Sequence, residues 1–194
     1  MDELKAFLEL TVLLVRDPRT VVLFALLIYA AVLDIRTHRI PNRLVLSGLG
    51  FGLIYSVFVP FWRDHGFLWA LGGAALGFGV FFPLWLMRMM GAGDVKLMAM
   101  TGSLLGLNAV VPALIAILIT GGVFALGFAI RHSRLRDMLA NVGRMLHLGG
   151  IAMAMGAPVR MANSGWESVG KLAFAVPIAV GTTGTVVAMH FGFL

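Results

Sequence analysis

Two aspartates stand apart from the other acidic residues of this chain. Asp34 closes an apolar run that begins at Thr20, and Asp94 opens another apolar stretch directly after Gly91-Ala92-Gly93. Asp2, Glu3, Glu9, Asp17, Asp64, Asp137 and Glu167 fall in terminal or loop segments, where water solvates them. An ionisable group inside a membrane-length apolar segment is costly and is a functional candidate by default. Either aspartate alone has an ordinary explanation in a neighbouring cation: Arg36 or Arg39 for Asp34, Lys96 for Asp94. Together they point to a shared site.

A pair of carboxyls supplies a definite chemistry. Two such groups brought close in a low-dielectric site cannot both ionise easily, so they share a proton. The ionised member takes a proton from water as that water attacks a peptide carbonyl, and the protonated member hydrogen-bonds the carbonyl oxygen. This route needs no metal, no cofactor and no covalent intermediate. The chain has no cysteine, which removes thiolate ligands and a cysteine nucleophile. His38, His65, His132, His147 and His190 are scattered without a ligand spacing, so no metal site is expected.

The residues around the aspartates fit that use. Gly91 and Gly93 have no Cβ, which allows a tight turn and close approach of a substrate strand; a plain helix break would use the same residues. Asp94 then sits in the first turn of a helix, at the positive end of its dipole. Lys96 can reach lipid phosphates, tune the carboxyl pair or hold a substrate. Beside Asp34, Pro41 disfavours helix at Ile40 and sets a turn, and Asn42 is placed to cap a helix that starts near Arg43.

These residues need elements to hold them. The chain is 60% hydrophobic and 12% charged, with a mean hydropathy of +0.96. A soluble domain of 194 residues has too little polar surface for that composition. The expected fold is all-α: a polytopic membrane protein of one domain, with about six transmembrane helices near 20–36, 43–61, 67–90, 94–108, 109–130 and 171–193. The junction at Leu107-Asn108 is the least marked of these divisions. Residues 1–19 read as an interfacial N-terminal segment, amphipathic over 3–15, with Pro18 placed early in the first span. Residues 131–170 form a basic connection, whose apolar piece from Leu146 to Ala157 is too short to span.

Charge sets the expected orientation. If the first span runs inward, eleven Lys and Arg residues lie on the cytoplasmic side and four on the other. Both termini are then outside, and both aspartates lie near the cytoplasmic face at matched depth. The net charge of +6 is explained by those loops, so membrane lipids rather than nucleic acid are the expected partners.

Asp34-Ile35-Arg36-Thr37-His38-Arg39-Ile40-Pro41-Asn42 resembles the first signature of type IV prepilin peptidases, an aspartate followed five residues later by Ile-Pro-Asn. Gly91-Ala92-Gly93-Asp94-Val95-Lys96 is similar to their second, the GxGD element with Val-Lys after it. The resemblance covers about residues 20–130, and in the last span Phe174 to Gly181 keeps only the outline of the family's Pro-Tyr-Gly-Pro stretch. It implies a bacterial inner-membrane aspartic endopeptidase that removes the basic leader of a prepilin or pseudopilin at the cytoplasmic face. It also implies that Asp34 and Asp94 are catalytic. Larger members carry an N-terminal methyltransferase region with paired Cys-x-x-Cys motifs, and this cysteine-free chain instead resembles the compact class that serves Flp/Tad pili. Presenilin-type proteases share GxGD, but Ile40-Pro41-Asn42 favours the prepilin branch.

A transporter or proton channel is the rival reading, because it too would use paired aspartates and glycine-broken helices. Its site would lie nearer the membrane midplane, and no inverted repeat is visible in the sequence. A purely structural subunit accounts for the hydrophobicity but leaves both carboxyls without a purpose.

Overall fold

The computed structural model describes residues 17–60, 66–86, 90–133, 135–136, 139–140, 143 and 173–193. The amphipathic segment expected at 3–15 and the apolar piece from Leu146 to Ala157 lie outside the described residues. Among the described residues the fold has five long helices: α1 (Pro18–Thr37), α2 (Asn42–Phe58), α3 (Phe67–Leu86), α4 (Ala92–Arg131) and α5 (Ala175–His190). No strand occurs among the described residues. Two compact units are present, one of Met1–Gly121 with Ala173–Leu194 and one of Gly122–Leu172.

Local chemistry accounts for the helix ends. Asp17 caps α1 by accepting the Arg19 N–H at 3.0 Å, and Pro18 occupies the first turn, where its missing N–H costs nothing. α1 stops at His38, which adopts a left-handed conformation (φ 49°, ψ 35°) and returns its N–H to the Asp34 carbonyl at 2.9 Å. The chain is then re-aimed by Pro41, extended at φ −64° and ψ 133°, and α2 begins at the next residue. The capping position is therefore Pro41, which has no side-chain hydrogen bond to give. Asn42 is the first helical residue, and its amide oxygen is used elsewhere.

α4 is one element of 40 residues with a break inside it. A helix of that length would run about 60 Å, twice the hydrocarbon thickness. At Gly106 the backbone leaves helical geometry (φ 77°, ψ 171°), next to the junction expected at Leu107-Asn108. That conformation is open essentially to glycine alone.

α1, α3 and α4 are each long and apolar enough to cross a membrane, and α2 and α5 are shorter apolar helices. The distribution of apolar side chains fits a bilayer solvent. Ile28, Tyr29 and Ile35 of α1, Leu46 and Ile54 of α2 and Leu68 of α3 are all exposed. By contrast, α4 from Leu97 to Gly106 is buried or half-buried around its circumference, with Leu97, Met98, Met100 and Thr101 fully enclosed. This half-helix is the centre of the first unit.

Neighbours reach it through small residues. Gly73 of α3 and Gly102 of α4 face each other so closely that a Cβ on either would strike the other's carbonyl oxygen. Membrane helices gain association energy from such contact, because lipid gives them no hydrophobic drive to associate. A methyl group forced into the contact would cost about 1–3 kcal/mol. At the far end of α1 from Asp34, the buried Arg19 donates to the Val59 carbonyl and lies over the Tyr55 ring at 5.2 Å. That clamp ties the start of α1 to the end of α2. In the second unit, the His132 ring stacks on Phe128 with centroids 4.1 Å apart.

Candidate active site

Asp34 belongs to the last turn of α1 and continues its buried stripe: Leu23, Leu27, Ala30 and Asp34 follow one another at helical spacing on the face turned to the core. Only 6% of the residue is exposed. One carboxyl oxygen, Oδ2, accepts the Ala175 N–H at 3.1 Å. Ala175 is the first residue of α5, so Asp34 is held by a helix N-terminus, where unpaired N–H groups and the helix dipole favour a carboxylate. α1 and α5 pack against each other.

Asp94 is the third residue of α4 and is 9% exposed. Its Oδ2 accepts the Gly91 N–H at 3.2 Å, while its own N–H is given to the Gly91 carbonyl at 3.2 Å. This is the carboxylate half of a capping box, with Gly91 as the cap. A Cβ on Gly91 would lie 3.2 Å from that same carboxyl oxygen, so the first glycine of the motif keeps open the space into which Asp94 turns.

Burial strips water from Asp94, and the charge on Asp34 acts on it as well, so the two carboxyls are electrostatic neighbours. Neither is neutralised by the cations beside it in sequence. Among the described residues no ion pair reaches Asp34 or Asp94, and Lys96 instead donates to Asn42 Oδ1 at 3.0 Å. Each carboxyl thus has Oδ2 tied to a backbone N–H. Among the described residues, Oδ1 of each has no donor. Each carboxyl is thus anchored through one oxygen, which leaves the other available to a water.

Ile40 packs against Gly93, whose absent Cβ would otherwise stand 3.3 Å from the Ile40 Cβ. Pro41 and Asn42 follow at the start of α2, and Arg36, Arg39, Arg43 and Lys96 are exposed at this same end of the unit. All the candidate residues read from the sequence, namely Asp34, Asp94, Gly91, Gly93, Lys96, Ile40, Pro41 and Asn42, therefore belong to one cluster. The Ala175 N–H is the participant that sequence reasoning missed, since a backbone donor has no side-chain signature. Pro177 in the first turn of α5 was the available signal that a helix begins there.

Fold and site define an α-helical membrane protein with two buried carboxyls at one end of its helices. The sequence profile of the type IV leader peptidase family matches residues 21–126, more than half of the chain, and the protein belongs to that family. It is accordingly a peptidase, and the matched region contains both aspartates and both motifs. No curated protein and no solved structure matches the chain.

Proposed function

We propose that the protein is an aspartic endopeptidase that cleaves the leader from a type IV prepilin or pseudopilin, of the Flp/Tad class, at the cytoplasmic face of the bacterial inner membrane. The observation that carries this reading is that Asp34 and Asp94, sixty positions apart in sequence, are both buried and near enough for the charge of one to act on the other, each with one oxygen that takes no donor among the described residues. Water held between the two oxygens attacks the scissile carbonyl. One carboxylate takes its proton and the other carboxyl hydrogen-bonds the developing oxyanion, then helps protonate the leaving amine. Gly91, Gly93, Lys96, Ile40, Pro41 and Asn42 shape the site around that water.

The orientation rests on charge. Arg36, Arg39, Arg43 and Lys96 are exposed at the end that carries the carboxyls, which favours the cytoplasmic side. In this arrangement α4 crosses twice, dividing at Gly106, and α2 and α5 serve as short spans, which makes six crossings with α1 and α3. A leader cut before its hydrophobic helix meets the site near the surface, where water is available.

The test is co-expression with a Flp/Tad-type prepilin, following the leader on a gel for wild type, Asp34→Asn and Asp94→Asn. The amide oxygen of Asn can still accept the N–H of Ala175 or Gly91, so the fold is kept while the titratable group is lost. Processing should drop at least about a thousandfold in each variant, in keeping with removal of an essential acid or base. Processing at the wild-type rate by either variant excludes the dyad.

A further inference from the structure

The two motifs touch each other at two points away from the carboxyls. Ile40 lies on Gly93, and Asn42 Oδ1 accepts from Lys96 Nζ at 3.0 Å. On one side the contacting residues follow the end of α1, on whose last turn Asp34 sits. On the other they flank Asp94: Gly93 precedes it and Lys96 follows by two. Positions three apart in a helical turn share a face, so Gly93 and Lys96 present one edge of α4 to the 40–42 segment. Pro41 stiffens that segment between its two contacts, with φ at −64°.

We infer that these two contacts form a clasp that sets the separation of Asp34 and Asp94 in the substrate-free protein, so the pair is preformed. This rests on the proposed role of the aspartates. Lys96 is thereby a positioning residue. Its ammonium is engaged with the neighbouring motif, and a positively charged leader would gain nothing from it. Ile40 and Asn42 become the counterparts of Gly93 and Lys96, which gives the Ile-Pro-Asn element a purpose that a turn alone does not require.

The chain has no cysteine, so a cysteine pair can report the clasp without background. The Cβ positions at 40 and 93 are 3.3 Å apart, near the separation of about 3.5–4.5 Å found in disulfides. The Ile40→Cys, Gly93→Cys double variant should therefore close a disulfide on mild oxidation in the purified full chain, seen as a mobility shift absent from either single variant. The oxidised protein should cleave a prepilin as fast as the same preparation after reduction. Loss of cleavage on oxidation, restored by reductant, would show that the motifs must part for catalysis and overturn the inference. So would a folded double variant that forms no disulfide.

A second measurement stands whether or not that variant folds. Lys96→Met and Asn42→Leu should each lower kcat by about tenfold to a hundredfold, the effect of a small misplacement at a reacting centre, with KM and the unfolding temperature unchanged. The double variant should be no slower than the slower single, because both remove one contact. Lys96→Arg should recover part of the rate. Additive losses, or an effect on KM alone, would sink the clasp. A wild-type chain that cleaves nothing would instead remove the reading of the dyad, and disulfide formation would still decide whether the motifs are clasped.

Discussion

At the scale of single residues, both aspartates are held through one oxygen, and among the described residues the other oxygen of each takes no donor. Asp34 takes its N–H from Ala175, on a helix distant in sequence, and Asp94 takes its own from Gly91, three positions away. That difference decides how each can be disturbed. A methyl group added at Gly91 meets Asp94 Oδ2 at 3.2 Å, tighter than ordinary contact, so the carboxyl must shift to accommodate it. Gly91→Ala should lower kcat by about tenfold through that displacement. Its effect on stability should stay below about 1 kcal/mol, because the change is confined to a helix cap. Steady-state cleavage beside thermal unfolding in the same detergent checks both. Both aspartates and their flanking motifs were legible in the sequence, because their side chains are costly in an apolar setting. The use made of Asn42 was not: it was expected as a cap, and its oxygen serves Lys96, 54 positions away.

Among the elements, α4 has the most demanding task. Its first half is enclosed from Leu97 to Gly106 and carries Asp94 at its start, so the position of that half-helix is the position of half the site. Gly106 lets the chain leave this half and continue in a new direction. Gly106→Ala imposes a Cβ on a backbone conformation that other residues avoid, and should cost about 1–3 kcal/mol, read as a lower unfolding temperature. Cleavage at a temperature well below unfolding should change less than stability does, since the substitution is remote from both carboxyls. The division of the 92–131 stretch was visible in the sequence only as a junction near Leu107-Asn108. Glycine was too frequent there, with Gly102 and Gly106 both available, for sequence to say which one bends. The answer depends on contact: Gly102 is committed to its close approach with Gly73.

Across the described part of the first unit, many exposed helix residues are apolar, and Arg36, Arg39, Arg43 and Lys96 gather at the end with the carboxyls, with Arg19 at the other. The proposed orientation makes a direct prediction. An alkaline phosphatase reporter fused after Pro60 or after Phe193 should be active, and one fused after Arg39 or after His132 inactive, with a cytoplasmic fluorescent reporter giving the opposite pattern. Activity after Arg39 would invert the protein and place the aspartates on the outer face. Topology is read here from charge distribution, which acts during insertion, so the assay tests a property that helix packing alone does not set.

Composition and spacing were enough to expect an all-helical membrane chain, to single out Asp34 and Asp94 as candidates, and to draw attention to Gly91, Gly93, Ile40 and Pro41 near them. Those features are local or compositional: burial cost, backbone freedom at glycine, and the restriction that proline places on its neighbour. Tertiary structure alone decided how the pair is held. The Ala175 amide reaches Asp34 across 141 positions, and the Lys96–Asn42 bond joins two motifs that no local rule links. Contacts of that kind exist only after helices have packed, because each partner's geometry depends on the close approach of backbones elsewhere in the bundle.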